Sequence, residues 1–337
     1  MTATTPLVNA VLIMMGLLLF KSFPGLTTLS SAKHDWVVKS SKALTDTPTC
    51  EKLGWFPSGF GLKDHSVFWY NGYYYLVSGY FPGESYFAYG RSIDLCDWED
   101  LTPVLNNRTP GAWDEMAIWA PMVFQEGDIY YLYYTGVTGD FTQSIMLATT
   151  SNPDNPASWN PQGMVFQPKH NGMVWQAGSW SDCRDATIIK VENTYYMYYT
   201  ALDISGGIIG LATASSLYGP WRDWGTILTF PGSNYAIAES STVYQHAGLY
   251  YLFYNNTSAG EQYRIGASPA GPWSWPLSFT PGWAHEVWED HKGQLYTSYL
   301  ISYSVNISPM SWDTLFSPPR PVIGKDIYHI FLPSVTR

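Results

Sequence analysis

The chain has 337 residues and a net charge of −10 at pH 7, and only 13% of its residues are charged whereas 17% are aromatic. So few charges with so many aromatic rings exclude a disordered chain, and the Ala, Glu, Lys and Leu excess of a long helical bundle is missing. The acidic balance also argues against nucleic-acid binding, because neutralising phosphates requires a basic surface. We therefore expect a β-rich globular protein that binds no nucleic acid.

The N-terminal segment has the pattern of an export signal. Residues 7–20 form an apolar run that is short for a membrane span of about 20 residues but typical of a signal peptide. Ser30-Ser31-Ala32 offers small residues for cleavage, so residues 1–32 are predicted to be a signal peptide. No Lys or Arg precedes the run, so an uncleaved membrane anchor is the alternative. Either way, residues 33–337 are expected to form a secreted or externally anchored domain.

Cysteines and glycosylation motifs fit export. The chain has three cysteines, of which at most two can pair, and the sequence leaves the pairing open among Cys50, Cys96 and Cys183. Four sequons predict a glycoprotein if the source is eukaryotic, and they begin at Asn107, Asn255, Asn256 and Asn306.

A repeat runs through the mature chain. Each copy has a short apolar strand, a polar turn with Gly or Asn, and an aromatic strand, which together predict a β-hairpin. The copies begin at Asp64, Ala120, Asp185, Ser240 and, more weakly, Glu286. Small residues and then a Trp follow each hairpin, and they predict a third and a fourth strand. We interpret these Trp residues as structural: Trp98, Trp159, Trp221, Trp273 and Trp312.

Five copies of four strands, at intervals of 46 to 65 residues, predict an all-β, five-bladed β-propeller in a single domain. A β-sandwich or a parallel β-helix is the weaker alternative, since a sandwich would not repeat one motif five times and a β-helix has no hairpins. Closing the ring requires the two ends to meet. We expect residues 326–335 to add a strand near the first blade.

Three acids stand where the inner strands begin, at a pocket that all blades share. Asp64 and Asp185 take equivalent positions, Glu239 lies one residue earlier in its copy, and His285 is aligned with Glu239. Buried like charges raise one another's pKa, so such a cluster can keep one carboxyl protonated while another stays ionised. Glycoside hydrolysis requires such a pair. A structural acid cluster or a cation site is the alternative.

From about Trp55 to Trp312 the chain resembles the five-bladed propeller glycosidases of glycoside hydrolase families 43 and 32. In family 43, Asp64 would match the general base, and Trp119-Ala120-Pro121 a motif of the second blade. Asp185 would match the residue that orients the acid and modulates its pKa, and Glu239 the general acid. The resemblance thus implies a glycoside hydrolase of carbohydrate metabolism with Asp64, Asp185 and Glu239 as catalytic residues.

The motifs also depart from family 43. His65 and Ala186 replace the Pro that commonly follows the two Asp residues, and Arg184-Asp185 resembles a motif of family 32. Two mechanisms follow. We favour a family 43 mechanism, in which Asp64 activates water, Glu239 protonates the leaving oxygen and configuration inverts on an arabinofuranoside or xyloside. In the family 32 alternative Asp64 is the nucleophile of a retaining β-fructofuranosidase.

Further side chains are candidates for substrate binding. Indole faces can stack on sugar rings, guanidinium groups can bind hydroxyls or a pocket acid, and imidazoles can contact the substrate. The predicted substrate-binding residues are Trp119, Arg184, Arg264, His285, Trp113, Trp175 and His65.

A carbohydrate-binding propeller without turnover is the competing function of another class, and the presence of all three acids argues against it. The reaction requires no cofactor and the sequence shows no metal-ligand spacing, although the acids and His285 could hold a structural calcium ion in the central channel. The expected partner is an oligo- or polysaccharide substrate, and no protein partner is predicted.

Overall fold

Strands dominate the structure, as the repeat predicts. The computed structural model describes residue 50 and residues 52–231 and 238–324, and these residues fall within one compact unit. They form twenty-one β-strands and one 3₁₀ turn, Pro156–Ser158. In this described part, no helix has the length and hydropathy of a membrane span. The predicted signal or anchor segment, 1–32, and the predicted closing strand, 326–335, lie outside the described residues.

Five antiparallel sheets confirm the five-bladed β-propeller. Blade one contains β2 (Gly61–Tyr70), β3 (Tyr73–Phe81), β4 (Phe87–Ser92) and β5 (Glu99–Val104). Blade two contains β6 (Ala117–Glu126), β7 (Ile129–Val137), β8 (Gln143–Thr150) and β9 (Asn160–Phe166). Blade three contains β10 (Cys183–Val191), β11 (Thr194–Asp203), β12 (Gly206–Ala214) and β13 (Arg222–Phe230). Blade four contains β14 (Ala238–His246), β15 (Leu249–Asn256), β16 (Gly260–Gly266) and β17 (Leu277–Ser278).

Blade five is completed from both sides. It contains β18 (Trp283–Glu289), β19 (Leu295–Ile301) and β20 (Ser304–Asp313), and the outer edge of β20 pairs with β1 (Leu53–Trp55) and then with β21 (Arg320–Ile323). The N-terminal strand β1 therefore joins the last blade and closes the ring. One prediction is wrong here. Trp312 was predicted to open a fourth strand, but it lies inside β20, the third strand of its blade.

The chain ahead of β1 is tied to blade one. A disulfide joins Cys50 to Cys96, in the loop between β4 and β5, and Cys183 is a buried free thiol. Because β1 itself pairs with blade five, this short segment bridges the seam between the first and last blades. Of the sequon residues, Asn107 is exposed, whereas Asn255 is fully buried and accepts a hydrogen bond from the amide of Ala284. Asn255 is therefore closed to glycosylation in the folded protein.

The aromatic second strands are explained by burial on both faces. Each blade packs between two neighbours, so its second strand reads as a nearly continuous apolar run instead of an alternating one. Every residue of β7 from Tyr130 to Val137 is buried. Tyrosine hydroxyls also join each blade to the next: Tyr133 donates to Leu217 O at 2.6 Å and Tyr198 to Pro269 O at 2.6 Å. The abundance of Tyr thus serves the contacts between blades.

Candidate active site

The same irregularity occurs in the inner strand of every blade. Each contains a β-bulge, seen as a register shift against the second strand, and one residue of each bulge has left-handed backbone angles. A bulge bends its strand and re-aims a side chain. The left-handed residues, with φ between 36° and 56°, are Asp64, Ala120, Asp185, Ser240 and Ala284.

The bulges correct the alignment of the fifth repeat. Asp64, Asp185 and Ser240 are equivalent, so Glu239 does lie one position earlier, as predicted. The equivalent of Ser240 in blade five is Ala284, and therefore Trp283 matches Glu239. His285 does not. The prediction failed because the repeat was aligned on its hairpin, and the turn of that hairpin is longer in the fifth copy, between Glu289 and Leu295, than in the fourth, between His246 and Leu249.

A cleft of about 500 Å³ opens above the bulges. All three predicted catalytic acids line it, together with Trp119 and Arg184. The other described residues of its lining that bear on the chemistry were missed by the sequence reasoning, and they are Lys63, Glu84, Gln143, Trp180, Trp283 and Tyr303.

Glu84 illustrates why these residues were missed. It lies in the turn between β3 and β4, outside the repeat, so no motif pointed to it. Its carboxylate accepts a hydrogen bond from Trp119 Nε1 at 2.7 Å and pairs with the ammonium of Lys63. Glu84 therefore holds the indole of Trp119 in the cleft wall. A cross-blade contact of this kind becomes visible only once the blades are assembled.

Two predicted substrate-binding residues lie elsewhere. Arg264 donates to Tyr254 Oη at 2.9 Å and to Ser274 O at 2.8 Å, so its guanidinium serves blade four and pairs with none of the pocket acids. Trp175 donates its Nε1 to Gln143 O at 3.0 Å and packs on the core between blades two and three. It therefore supports a cleft residue from behind.

Trp113 lies apart from the cleft as well. It packs on the core between blades one and two and lines a separate surface depression with Glu115 and Asp140. Trp113 and Trp175, which precede inner strands, were predicted to bind the substrate, but neither lines the cleft. Trp180, in the loop before β10, does so instead.

His65 and His285 line a narrow channel below the cleft. His65 Nε2 lies 2.7 Å from Ser298 Oγ, and His285 Nδ1 lies 3.2 Å from Glu261 Oε2. Burial and the nearby His285 lower the pKa of His65 to about 3, so its imidazole is neutral. Among the described residues, no three His, Cys, Asp or Glu side chains are grouped as metal ligands. The calcium ion considered for this channel stays a prediction.

Asp185 is held rigidly beside the cleft. Its Oδ2 accepts hydrogen bonds from Ser240 N at 2.9 Å and Thr200 Oγ1 at 3.2 Å, and Arg184 Nε lies 3.9 Å away. Burial raises its pKa, whereas Arg184 and the two hydrogen bonds oppose the rise. Because Ser240 follows Glu239, the bond to Ser240 N fixes the strand that carries Glu239.

Glu239 combines burial with a nearby cation. Burial raises its pKa to about 7, and the negative charges of Asp185 and Asp182 add to the rise, while Arg184 Nε at 3.6 Å opposes it. A carboxyl that titrates near neutral pH can give up a proton during a reaction and take one back.

Asp64 faces the same acids. Burial, then Asp185 and Glu239, raise its pKa to about 8, and Lys63 opposes the rise. In the channel, Glu286 is a fourth carboxyl whose pKa is raised by burial and by Asp64. The carboxyls influence one another, so they titrate as a group that retains at least one proton near neutral pH. The arrangement can therefore supply an acid and a base in one cleft.

The raised pKa of Asp64 predicts a pH-dependent cost in stability. The unfolded chain loses this proton near its ordinary pKa of 3.8, whereas the folded protein keeps it up to about 8. The penalty is absent below about pH 4, grows between the two values and is full above about pH 8. We expect Asp64→Asn to raise the melting temperature by at least about 2 °C at pH 8 and to leave it unchanged near pH 4.

Differential scanning calorimetry at both pH values checks this expectation. Asp128→Asn, in an exposed turn of blade two, is the matched control and should change the melting temperature at neither pH. If Asp64→Asn raised the melting temperature equally at both pH values, the pKa of the Asp64 carboxyl would not be raised by its surroundings.

Comparisons with known proteins match the chain in sequence and in fold. The sequence model described as "Glycosyl hydrolases family 43" matches residues 59–297. The arabinan endo-1,5-alpha-L-arabinosidase A of Aspergillus niger is 26% identical over 276 residues, covering 69% of this chain and 76% of that enzyme.

Solved structures share the fold at low identity. An exo-1,5-alpha-L-arabinanase from a bovine ruminal metagenomic library has a TM-score of 0.57 at 18% identity, covering 79% of this chain and 97% of that one. The GH43_1 enzyme from Xanthomonas citri complexed with xylotriose has a TM-score of 0.58 at 19% identity, covering 82% and 93%.

Proposed function

The chain belongs to glycosyl hydrolase family 43 and is a glycosidase; from that premise we propose that it is an exported enzyme that cleaves α-1,5-linked arabinofuranosyl chains with inversion of configuration. The observation that carries the proposal is the cleft that Asp64, Asp185 and Glu239 line together, with Arg184 close to Asp185 and Glu239. The names of the relatives support arabinan, and the bound xylotriose of the Xanthomonas citri enzyme makes a xyloside the second candidate substrate.

In the proposed mechanism Glu239 donates its proton to the leaving oxygen. Its raised pKa keeps the proton available near neutral pH, and its side chain is 24% exposed, so a substrate can reach it. Asp185 is a positioning residue here, because it holds the amide of Ser240 and lies beside Arg184.

Asp64 acts as the base in this mechanism. While Glu239 carries the proton, one of the negative charges that raise the pKa of Asp64 is absent, and Lys63 favours the ionised form. Asp64 can then accept a proton from a water that attacks the sugar from the opposite face.

The match to family 43 favours inversion over the retaining alternative, and the separation of the two carboxyls decides between them. Asp64 lies on blade one and Glu239 on blade four, and these blades are not neighbours in the ring. Inversion requires room for a water between the two carboxyls, which takes a separation of about 6.5–9.5 Å, against about 5–5.5 Å for retention.

Export rests on the apolar run at residues 7–20 and on the disulfide Cys50–Cys96, since disulfides persist mainly in oxidising compartments.

A reducing-sugar assay tests the proposed substrate. The protein is incubated with debranched arabinan, arabinoxylan, xylo-oligosaccharides, sucrose and inulin, and we expect release from arabinan above all others. Release from xylo-oligosaccharides alone would replace arabinan by a xyloside. Release from sucrose or inulin alone would contradict the proposal and favour a retaining fructofuranosidase with Asp64 as nucleophile.

A further inference from the structure

One carboxylate beside the cleft has no place in the mechanism above. Asp182 precedes β10, its side chain is fully buried, and it is not among the described residues that line the cleft. A buried carboxylate is costly unless it is paired and hydrogen-bonded. Its presence three residues before Asp185 therefore requires a reason.

The contacts of Asp182 all lead to the cleft. Its Oδ1 accepts hydrogen bonds from Trp180 Nε1 at 2.9 Å and Gln143 Nε2 at 3.3 Å, and Arg184 Nη1 lies 3.0 Å away. Trp180, Gln143 and Arg184 all line the cleft. One oxygen thus anchors three cleft side chains from behind. The second oxygen, Oδ2, is buried without a hydrogen-bond partner among the described residues.

Arg184 is shared among three acids at graded distances. It lies 3.0 Å from Asp182, 3.6 Å from Glu239 and 3.9 Å from Asp185. Asp182 thus makes the shortest of the three contacts. A guanidinium free of this contact could turn its planar fork onto Glu239 and bind it through two parallel hydrogen bonds.

We propose that Asp182 is a positioning residue of this glycosidase: it draws Arg184 away from Glu239 and fixes the indole of Trp180 in the cleft wall. This inference rests on the proposed function, because it assigns Glu239 the role of acid. It extends that function by a residue that touches neither the sugar nor the reacting atoms.

The charges around Glu239 predict in which direction its pKa moves when Asp182 is neutralised. The described groups that face Glu239 are Arg184, Asp185 and Asp182 from blade three and Asp64 from blade one, and Lys63 and Glu84 face Asp64 in turn. The charge of Asp182 raises the pKa of Glu239, and the charge of Arg184 lowers it. Neutralising Asp182 removes a negative charge that offsets the positive charge of Arg184, so the pKa of Glu239 should fall.

The test is Asp182→Asn, which keeps the size of the side chain and an oxygen acceptor. We expect the basic limb of kcat/KM against pH, measured on an α-1,5-arabino-oligosaccharide, whose leaving sugar needs the proton of Glu239, to move down by about one pH unit, with kcat on the acidic side changed less than about threefold. Titration of Glu239 by carboxyl ¹³C NMR should show the same downward shift without any turnover. If the basic limb of kcat/KM and the titration of Glu239 both stayed in place, the proposal would be overturned. An upward shift of either would overturn it as well.

Asp223→Asn is the matched control. Asp223 is a second buried carboxylate of blade three, and it accepts from Tyr199 Oη at 2.6 Å, outside the described lining of the cleft. Its loss should lower stability and leave the pH profile in place, because its contacts are structural. Equal shifts in both variants would reduce Asp182 to a structural role.

Trp180→Phe carries the test if Asp182→Asn does not fold. Trp180 is 45% exposed, so the change should be tolerated, and it removes the N–H that donates to Asp182. We expect KM for arabino-oligosaccharides to rise about threefold or more at constant kcat, and an unchanged KM would contradict the anchoring of Trp180. Failure of the proposed function would show separately, as absence of product from the wild type, and would leave the NMR titration as the test of Asp182.

Discussion

Glu239→Gln should lower kcat on arabinan by about 10²- to 10⁴-fold, the range expected for loss of a general acid. Glutamine keeps the shape of the side chain and the contact with Arg184, but it has no proton to give to a leaving sugar. The loss should be much smaller on an aryl glycoside with an acidic phenol as leaving group, because such a group departs with little protonation. Steady-state kinetics on both substrates checks the difference.

The pH profile gives the same assignment independently. The wild-type value of kcat/KM should fall as pH rises through about 7, because burial raises the pKa of Glu239 to about 7 and only the protonated form can donate. Glu239→Gln should lose this basic limb. Glu289→Gln, an exposed acid of blade five, is the matched control and should behave as the wild type does. If Glu239→Gln lowered kcat equally on arabinan and on the aryl glycoside, Glu239 would not be the acid.

Asp64→Asn should lower kcat by at least about 10³-fold on every substrate, whatever the leaving group. The water attacks in all cases, so a better leaving group cannot replace the base that activates it. The variant should still bind arabino-oligosaccharides with nearly the affinity of the wild type, because its cleft keeps its shape. Kinetics and calorimetric titration of the same preparation separate the two effects.

The pair of variants therefore distinguishes the two roles. A leaving-group dependence in Glu239→Gln that is absent from Asp64→Asn assigns acid and base. If Asp64→Asn retained wild-type activity on the aryl glycoside, Asp64 could not be the base, and Glu286, which lines the channel with Asp64, would be the next candidate.

The fold could be predicted from the sequence because each blade repeats one local pattern. A hairpin and a following strand need only contacts within about 60 residues, and turns with Gly or Asn mark them in all five copies. The closure of the ring could not be predicted in this way. The strand Leu53–Trp55 has three residues and no pattern of its own, and only its partner on β20 makes it a strand.

The acids were predictable for the same reason as the fold, since they lie at one position in the repeat or directly before it, and they resemble a known motif. Their surroundings were not. Glu84 and Trp180 come from loops outside the repeat, and they meet the cleft only through contacts that cross blades or turns. Arg264 failed as a pocket residue because a strand position does not say which end of the blade a long side chain reaches.

The stereochemistry of the product tests the central claim most directly. Proton NMR of the first minutes of hydrolysis of an α-1,5-arabino-oligosaccharide shows which anomer is released before mutarotation. Inversion by Asp64 and Glu239 predicts that the β-anomer appears first and the α-anomer grows in later. An α-anomer formed from the start would contradict the assignment of Asp64 as a base and make it a nucleophile.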